Sequence, residues 1–450
     1  MSEKHTPASA QTETAGGQGT AGDPGTTTDP GHDQDVRGEK PNNAKWALAL
    51  FGTAVGAGIL FLPINAGSFG FWPLLVATLI IGPMAFLSHR AYARMLSGSS
   101  QQGQDVLEVV TGFFGKNIGI LIALIYWFTV FPIVMIYGIS ITNTVDSFIQ
   151  NQLNGPEISR PILATLCVGL MTLGFALGRN AALLVAQFVI YPLIVALAAV
   201  SLYLIPQWDF SSFYHYSADG FVANLGDIIL IMPVLVFSFS FLAAISQFVL
   251  DTERFYGDDA EKQSSKIVLI ATALLTVFTM FFVWSSALAL GADGMEEAYE
   301  QNIPVLSYLA NETGTQFLAY IAPIVVICAI VSSYFGHLLA TVEGTRYFGK
   351  LVAPRLMRDT KPRTVAIAIY LFVFIVVTAV AIINPSILDM ITLIGGIFMG
   401  FMTYLLPVWA IYRIDALKRF RPVVSNWFVV IIGVVVMVGT FWDVLRNLVG

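Results

Sequence analysis

The chain has 450 residues, of which 56% are apolar and only 12% charged, and its mean hydropathy is +0.74. A soluble domain carries about 25% charged residues, so the composition argues against a soluble enzyme, a nucleic-acid binder or a disordered scaffold. The formal charge of −6 offers no basic surface to a polyanion.

Residues 1–44 are rich in Gly, Thr, Pro, Gln and Asp and hold no apolar run. They read as a disordered cytoplasmic tail without the apolar core of a signal peptide. Beyond them the apolar residues fall in runs about 20 long, the length that crosses a bilayer core of ~30 Å. The runs are Lys45–Gly67, Phe71–Met95, Asn117–Phe148, Arg160–Leu177, Ala181–Ile205, Phe221–Leu250, Lys266–Leu290, Gln316–Phe348, Thr364–Ile383, Pro385–Ile411 and Trp427–Leu448. Each must be helical, because lipid offers no partner to backbone N–H and C=O groups. The fold class is therefore an all-α integral membrane protein with eleven transmembrane helices.

With the tail inside, 21 of the 23 Lys and Arg residues fall on the cytoplasmic side; Arg160 and Arg446 remain outside, as does the C-terminus. Eleven spans divide into five, five and one. An odd repeat makes the second copy enter from the opposite face, as an inverted repeat requires. The expected units are residues 45–205 (spans 1–5), 221–413 (spans 6–10) and 427–448 (span 11).

Span 1 carries Gly52, Gly56 and Gly58 near its middle. Each glycine costs a helix up to ~1 kcal/mol relative to alanine, so unwinding here is cheap. The half-helix after a break would turn its positive N-terminal end toward a carboxylate. Close packing through Gly52-x-x-x-Gly56 is the competing reading. Span 6 carries Pro233 followed by Ser238 and Ser240, which predicts an interruption at the corresponding place in the second half. An ordinary proline kink with serines bonded back to the helix is the alternative. Span 8 carries Ala329-Ile-Val-Ser-Ser333, whose hydroxyls suit a small cation or a carbonyl four residues back. One turn further, His337 is a candidate proton carrier or a hydrogen-bonded structural histidine.

No carboxylate or lysine falls securely at the midplane, so backbone dipoles and hydroxyls would have to meet a zwitterion. Five scattered histidines form no HExxH or comparable ligand set, and no nucleophile can be paired with a base, which speaks against an intramembrane enzyme. Cys167 and Cys328 lie in apolar runs without CxxC spacing and read as packing residues. No cofactor is implied.

The stretch Phe51-Gly-Thr-Ala-Val-Gly-Ala-Gly-Ile-Leu-Phe-Leu-Pro63 and Pro233-Val-Leu-Val-Phe-Ser-Phe239 resemble the hydroxy/aromatic amino acid permease family, in particular its bacterial serine/threonine permease branch. Glu300-Gln-Asn-Ile-Pro-Val-Leu-Ser-Tyr-Leu-Ala310, Gly336-His337, Glu343-Gly344 and Asn384-Pro-Ser-Ile-Leu388 match as well. The resemblance implies a five-plus-five inverted repeat with broken helices 1 and 6 plus one extra helix, in the bacterial inner membrane. It implies cation-driven symport of serine, threonine or a similar small amino acid, with no nucleic-acid partner. Backbone around Thr53, Ala54, Gly56, Ala57 and Gly58 would hold the substrate carboxylate, and Phe237, Ser238 and Ser240 its amine and side chain. Tyr126 and Tyr137 on span 3 are candidates for closing the site from outside.

The chain departs from the branch in two places. Ser240-Phe-Leu-Ala243 replaces an Asn-His-Ser-Pro-like stretch, and Ser332 stands where the branch tends to carry lysine. The pair Ser332-Ser333 looks instead like the sodium site of related transporters, which would add carbonyls of Gly52, Val55 and Ala329. The coupling ion is then H+ or Na+, with His337 the residue for a proton. An aromatic amino acid permease of the same fold, with Phe237, Phe239 and Phe241 in the pocket, and a non-transporting amino acid sensor are the rival readings.

Overall fold

The computed structural model describes residues 43–98, 105–211, 221–312 and 315–449. The expected tail lies outside the described residues except for Asn43 and Ala44, which open the first helix. The described residues contain helix and no strand, as apolar segments must when only their own carbonyls can pair their amides. Nine described helices are long and apolar enough to cross a membrane, and two bent pairs would each add one more span. The chain is a multi-pass membrane protein.

Helices α1 (Asn43–Ala54) and α2 (Ala57–Ser68) form the first bent pair, inclined by 61°. Then come α3 (Phe71–Leu96), α4 (Val106–Ser147), α5 (Arg160–Leu177) and α6 (Arg179–Leu204). Helices α7 (Phe221–Ser238) and α8 (Leu242–Tyr256) form the second pair, bent by 51°. They are followed by α9 (Ala260–Glu300), α10 (Val305–Glu312), α11 (Gln316–Val352), α12 (Pro362–Ile383), α13 (Ile387–Arg413) and α14 (Ser425–Val449).

Local sequence explains where several helices turn. Asp105 and Glu108 form a capping box at the start of α4: the Glu108 amide donates to Asp105 Oδ1 at 2.9 Å and the Asp105 amide to Glu108 Oε2 at 3.3 Å. Gly115 (φ 80°) then separates this short leading helix from the membrane-spanning part of α4, and Gly291 (φ 67°) breaks α9 directly after the apolar run ends at Leu290.

Packing follows the apolar faces. Helix α11 lies along α4, and α9 lies along α1 and α2, so both bear on the first bent pair. Helix α7 packs on α2, α3 and α13. Helix α13 widens into π turns at Ile394–Met399 and Phe401–Leu405. There it runs so close to α7 that a β-carbon on Gly395 would collide with the Pro233 carbonyl oxygen. At one end of the bundle Arg94 Nε pairs with Glu261 Oε1 at 2.7 Å, and Tyr347 donates to Thr111 Oγ1 at 2.8 Å.

At the other end four polar side chains tie five elements together. Asn143 of α4 donates to the Asn302 carbonyl at 2.7 Å and to Asn384 Oδ1 at 3.1 Å. Arg160 of α5 donates to Asn143 Oδ1 at 2.7 Å and to the Ala381 carbonyl of α12 at 2.8 Å. Asn302 donates to Asn384 Oδ1 at 3.0 Å and to the Pro385 carbonyl at 2.9 Å, and accepts from the Ile387 amide of α13 at 2.9 Å. Asn302 and Asn384 both have left-handed backbone, φ 53° and 55°. Asparagine tolerates that region better than other side chains with a β-carbon.

Candidate functional site

The first helix stops at Ala54 and resumes at Ala57, with Gly56 fully extended between them (φ −157°, ψ −153°). The Val55 amide still bonds back to the Phe51 carbonyl at 3.2 Å, but the break leaves the first amides of α2 and the last carbonyls of α1 without helical partners. In the second pair the helix runs straight through Pro233 and ends only at Ser238. The interruption is Phe239-Ser240-Phe241, six residues beyond the proline that predicted it.

The two breaks face each other. A β-carbon on Gly58 would lie 2.7 Å from Phe237 Cδ1 and 2.9 Å from both Cα and Oγ of Ser238. One on Gly56 would lie 2.7 Å from Ser333 Oγ and 2.9 Å from the Tyr137 hydroxyl. Only hydrogen at these positions lets α2, α7, α4 and α11 converge. The Tyr137 and Ser333 hydroxyls thus lie side by side against Gly56, immediately before the start of α2. Ser238 is fully buried, and its hydroxyl has no partner among the described residues.

The other candidates distribute as follows. Thr53, Tyr126, Ser240 and His337 line one cavity, on the side of the breaks toward α1 and α8. The Thr53 hydroxyl bonds back to the Ala49 carbonyl at 2.9 Å, and Ser240 Oγ accepts from the Leu242 amide at 3.4 Å. His337 Nδ1 lies 2.9 Å from the Ser333 carbonyl oxygen, and the rings of His337 and Tyr137 are 5.5 Å apart. A second cavity lies beyond the Gly58 contact, lined by Asn65, Ser68, Glu296, Tyr299 and Asp389.

Four of the five residues named for a cation form two adjacent pairs. Ser333 donates to the Val55 carbonyl at 3.3 Å across the helix interface, and Ser332 donates to the Ala329 carbonyl at 3.1 Å within α11. Gly52, named for its carbonyl, lies in the last turn of α1 with its α-carbon packed against Ile190 of α6. Hard oxygens from two helices thus meet beside the break, which is the donor type a small cation takes. Among the described residues no group of three or more His, Cys, Asp or Glu is placed to hold a metal.

The electrostatics are those of helix ends. The start of α2 presents partial positive charge, and the ends of α1 and α7 present free carbonyls. No Asp, Glu, Lys or Arg lines the cavity that holds Thr53 and Ser240. Such a place takes a carboxylate at one end and an ammonium at the other without a fixed ionic partner.

A family model described as "Transmembrane amino acid transporter protein" matches residues 42–446. The chain belongs to the transmembrane amino acid transporter family. That is a family of transporters and not of enzymes. The serine transporter SdaC of Escherichia coli K12 is 37% identical over 416 residues, covering 90% of this chain and 95% of its own. The threonine/serine transporter TdcC of Yersinia enterocolitica is 36% identical over 432 residues, covering 90% and 96%. Among solved structures, a manganese transporter of Eremococcus coleocola superposes with a TM-score of 0.54 at 13% identity, over 88% of this chain and 85% of that one, and shares the fold.

One residue at the site carried no sequence signal. His89, directly before Arg90 in the last third of α3, reaches across to the second break and meets the Phe241 amide.

Proposed function

We propose that the protein is a secondary transporter that brings serine, threonine or a similar small amino acid into the cell by cation symport. Its setting is the bacterial inner membrane, with the N-terminus cytoplasmic and the C-terminus outside. The observation that carries this reading is the pair of bent helices whose breaks meet at Gly58 and Phe237–Ser238. Bends in the leading spans of the two halves also support a five-plus-five inverted repeat of eleven spans. The names of the serine and threonine/serine transporters that the chain resembles support the substrate class.

In this reading the carboxylate enters at the start of α2, beside Gly56, where the Tyr137 hydroxyl is near enough to bond it. The ammonium sits against the free carbonyls of α1 and α7. The unpartnered Ser238 hydroxyl is available to a substrate hydroxyl. An aromatic substrate fits less well. Phe237 is pressed against Gly58, and the Phe241 ring is stacked on His89, so these rings fill space and do not line a hollow. Cavities on both sides of the Gly58 contact would be the alternating routes of access.

Purified protein in liposomes is expected to accumulate radiolabelled serine against its gradient when a sodium or proton gradient points inward. Absence of gradient-driven uptake of any amino acid would overturn the reading.

The ion is carried by the hydroxyl–carbonyl pairs. A cation between Val55 and Ser333 would stiffen the break that receives the carboxylate and so couple the two sites. With sodium as that ion, Ser333→Ala raises the sodium concentration for half-maximal uptake about tenfold, as loss of one buried oxygen partner does. Sodium-independent uptake abolished by a proton uncoupler would move the coupling role to His337.

A further inference from the structure

His89 is 2% exposed, and both of its ring nitrogens are committed. Nδ1 is 2.8 Å from the Ala85 carbonyl oxygen, which can only accept, so Nδ1 carries the proton. The Ser88 hydroxyl lies 3.4 Å from the same nitrogen but spends its proton on the Ala85 carbonyl at 3.2 Å. Nε2 lies 3.3 Å from the Phe241 amide nitrogen, which can only donate. Both contacts therefore demand one form of the ring, neutral with the proton on Nδ1.

The Phe241 amide matters because of where it lies. The Phe239 and Ser240 amides bond back to the carbonyls of Leu235 (3.0 Å) and Phe237 (3.4 Å), within their own segment. Of the three residues in the break, only Phe241 sends its amide to another helix. The imidazole also stacks on the Phe241 ring, with centroids 3.8 Å apart and planes 25° apart. A buried amide left without an acceptor would draw the segment toward a continued helix, where the carbonyl of Phe237 would receive it.

We infer that His89 is a positioning residue of the transport site: as the Nδ1–H tautomer it accepts from the Phe241 amide and thereby holds the second broken helix unwound. The inference rests on the transport reading for its consequence, since the unwound stretch is what leaves the α7 carbonyls free for the substrate. The geometric part stands by itself.

Three substitutions separate this role from packing. A glutamine places its amide oxygen near the position of Nε2, an asparagine reaches only as far as Nδ1, and a phenylalanine keeps the stacking surface with no acceptor. At equal abundance in liposomes, His89→Gln is expected to keep the KM for serine within about threefold, while His89→Asn and His89→Phe raise it about tenfold or more. Equal behaviour of all three variants would overturn the inference.

A second measurement needs no variant to transport. In wild-type protein with 15N-labelled imidazoles, the His89 signals, assigned by their loss in His89→Gln, should show a protonated Nδ1 and an unprotonated Nε2. A proton on Nε2 would overturn the inference even if uptake is normal. Failure of the wild type to take up amino acids would sink the transport reading, and the tautomer would still decide what His89 holds.

Discussion

Gly58→Ala is expected to reduce serine uptake by about a hundredfold while leaving the protein inserted and folded. The added methyl would sit 2.9 Å from Ser238 Cα and 2.7 Å from Phe237 Cδ1, closer than β-carbons pack. A backbone atom cannot rotate away, so α2 and α7 must part by several tenths of an ångström. Overpacking of this kind costs about 1–3 kcal/mol, small against the stability of a large bundle but not against a site set by the spacing of two helix ends. Gly174 provides the comparison, because a β-carbon there meets nothing within 4 Å. Uptake by Gly58→Ala at the wild-type rate would show that the two breaks do not form the site.

Asn302→Ala should produce the second large effect, and this one is on stability. The change removes both amide donors and the acceptor for Ile387, three bonds of 2.9–3.0 Å at the junction of α9, α12 and α13. It also leaves alanine at φ 53°. Bonds worth about 1 kcal/mol each and a left-handed penalty of about 1 kcal/mol give a loss near 3–4 kcal/mol. Asn302→Gly should recover only the backbone share. Thermal unfolding in detergent compares the two: a wild-type midpoint for Asn302→Ala would mean that the polar knot contributes nothing, and equal midpoints for Ala and Gly would exclude the backbone share.

These two predictions draw on features that were visible in the sequence to different degrees. The cluster Gly52, Gly56 and Gly58 announced a break in the first span, and the helix does stop there. Pro233, Ser238 and Ser240 announced a break in the stretch Met232–Phe241 of the second, and α7 passes through the proline and stops at Ser238, inside that stretch. A proline removes one hydrogen bond and bends a helix. Where the helix ends depends on which other segment can take up the freed amides, and here His89 does so. The stretches around Asn302 and Asn384 marked the family in sequence but carried no role. Their function as a knot appears only when α4, α5, α12 and α13 are brought together.

Among the site candidates, Thr53, Tyr126, Ser240 and His337 share a cavity, while Ser333 bonds to Val55 and lies with Tyr137 against Gly56. Residue type told which side chains were able to serve, because a hydroxyl or a glycine within lipid is costly without a purpose. It did not tell which way each one faced.

The amino-acid order alone dictated apolar helices and a weak point in the leading one, because these depend on neighbours three or four residues apart and on the lack of any other partner in lipid. The meetings of Phe241 with His89, of Val55 with Ser333 and of Asn302 with Asn384 join positions 152, 278 and 82 residues apart. Those were decided by how the helices pack, since a hydrogen bond between helices is set by distance in space, about which local pattern says nothing.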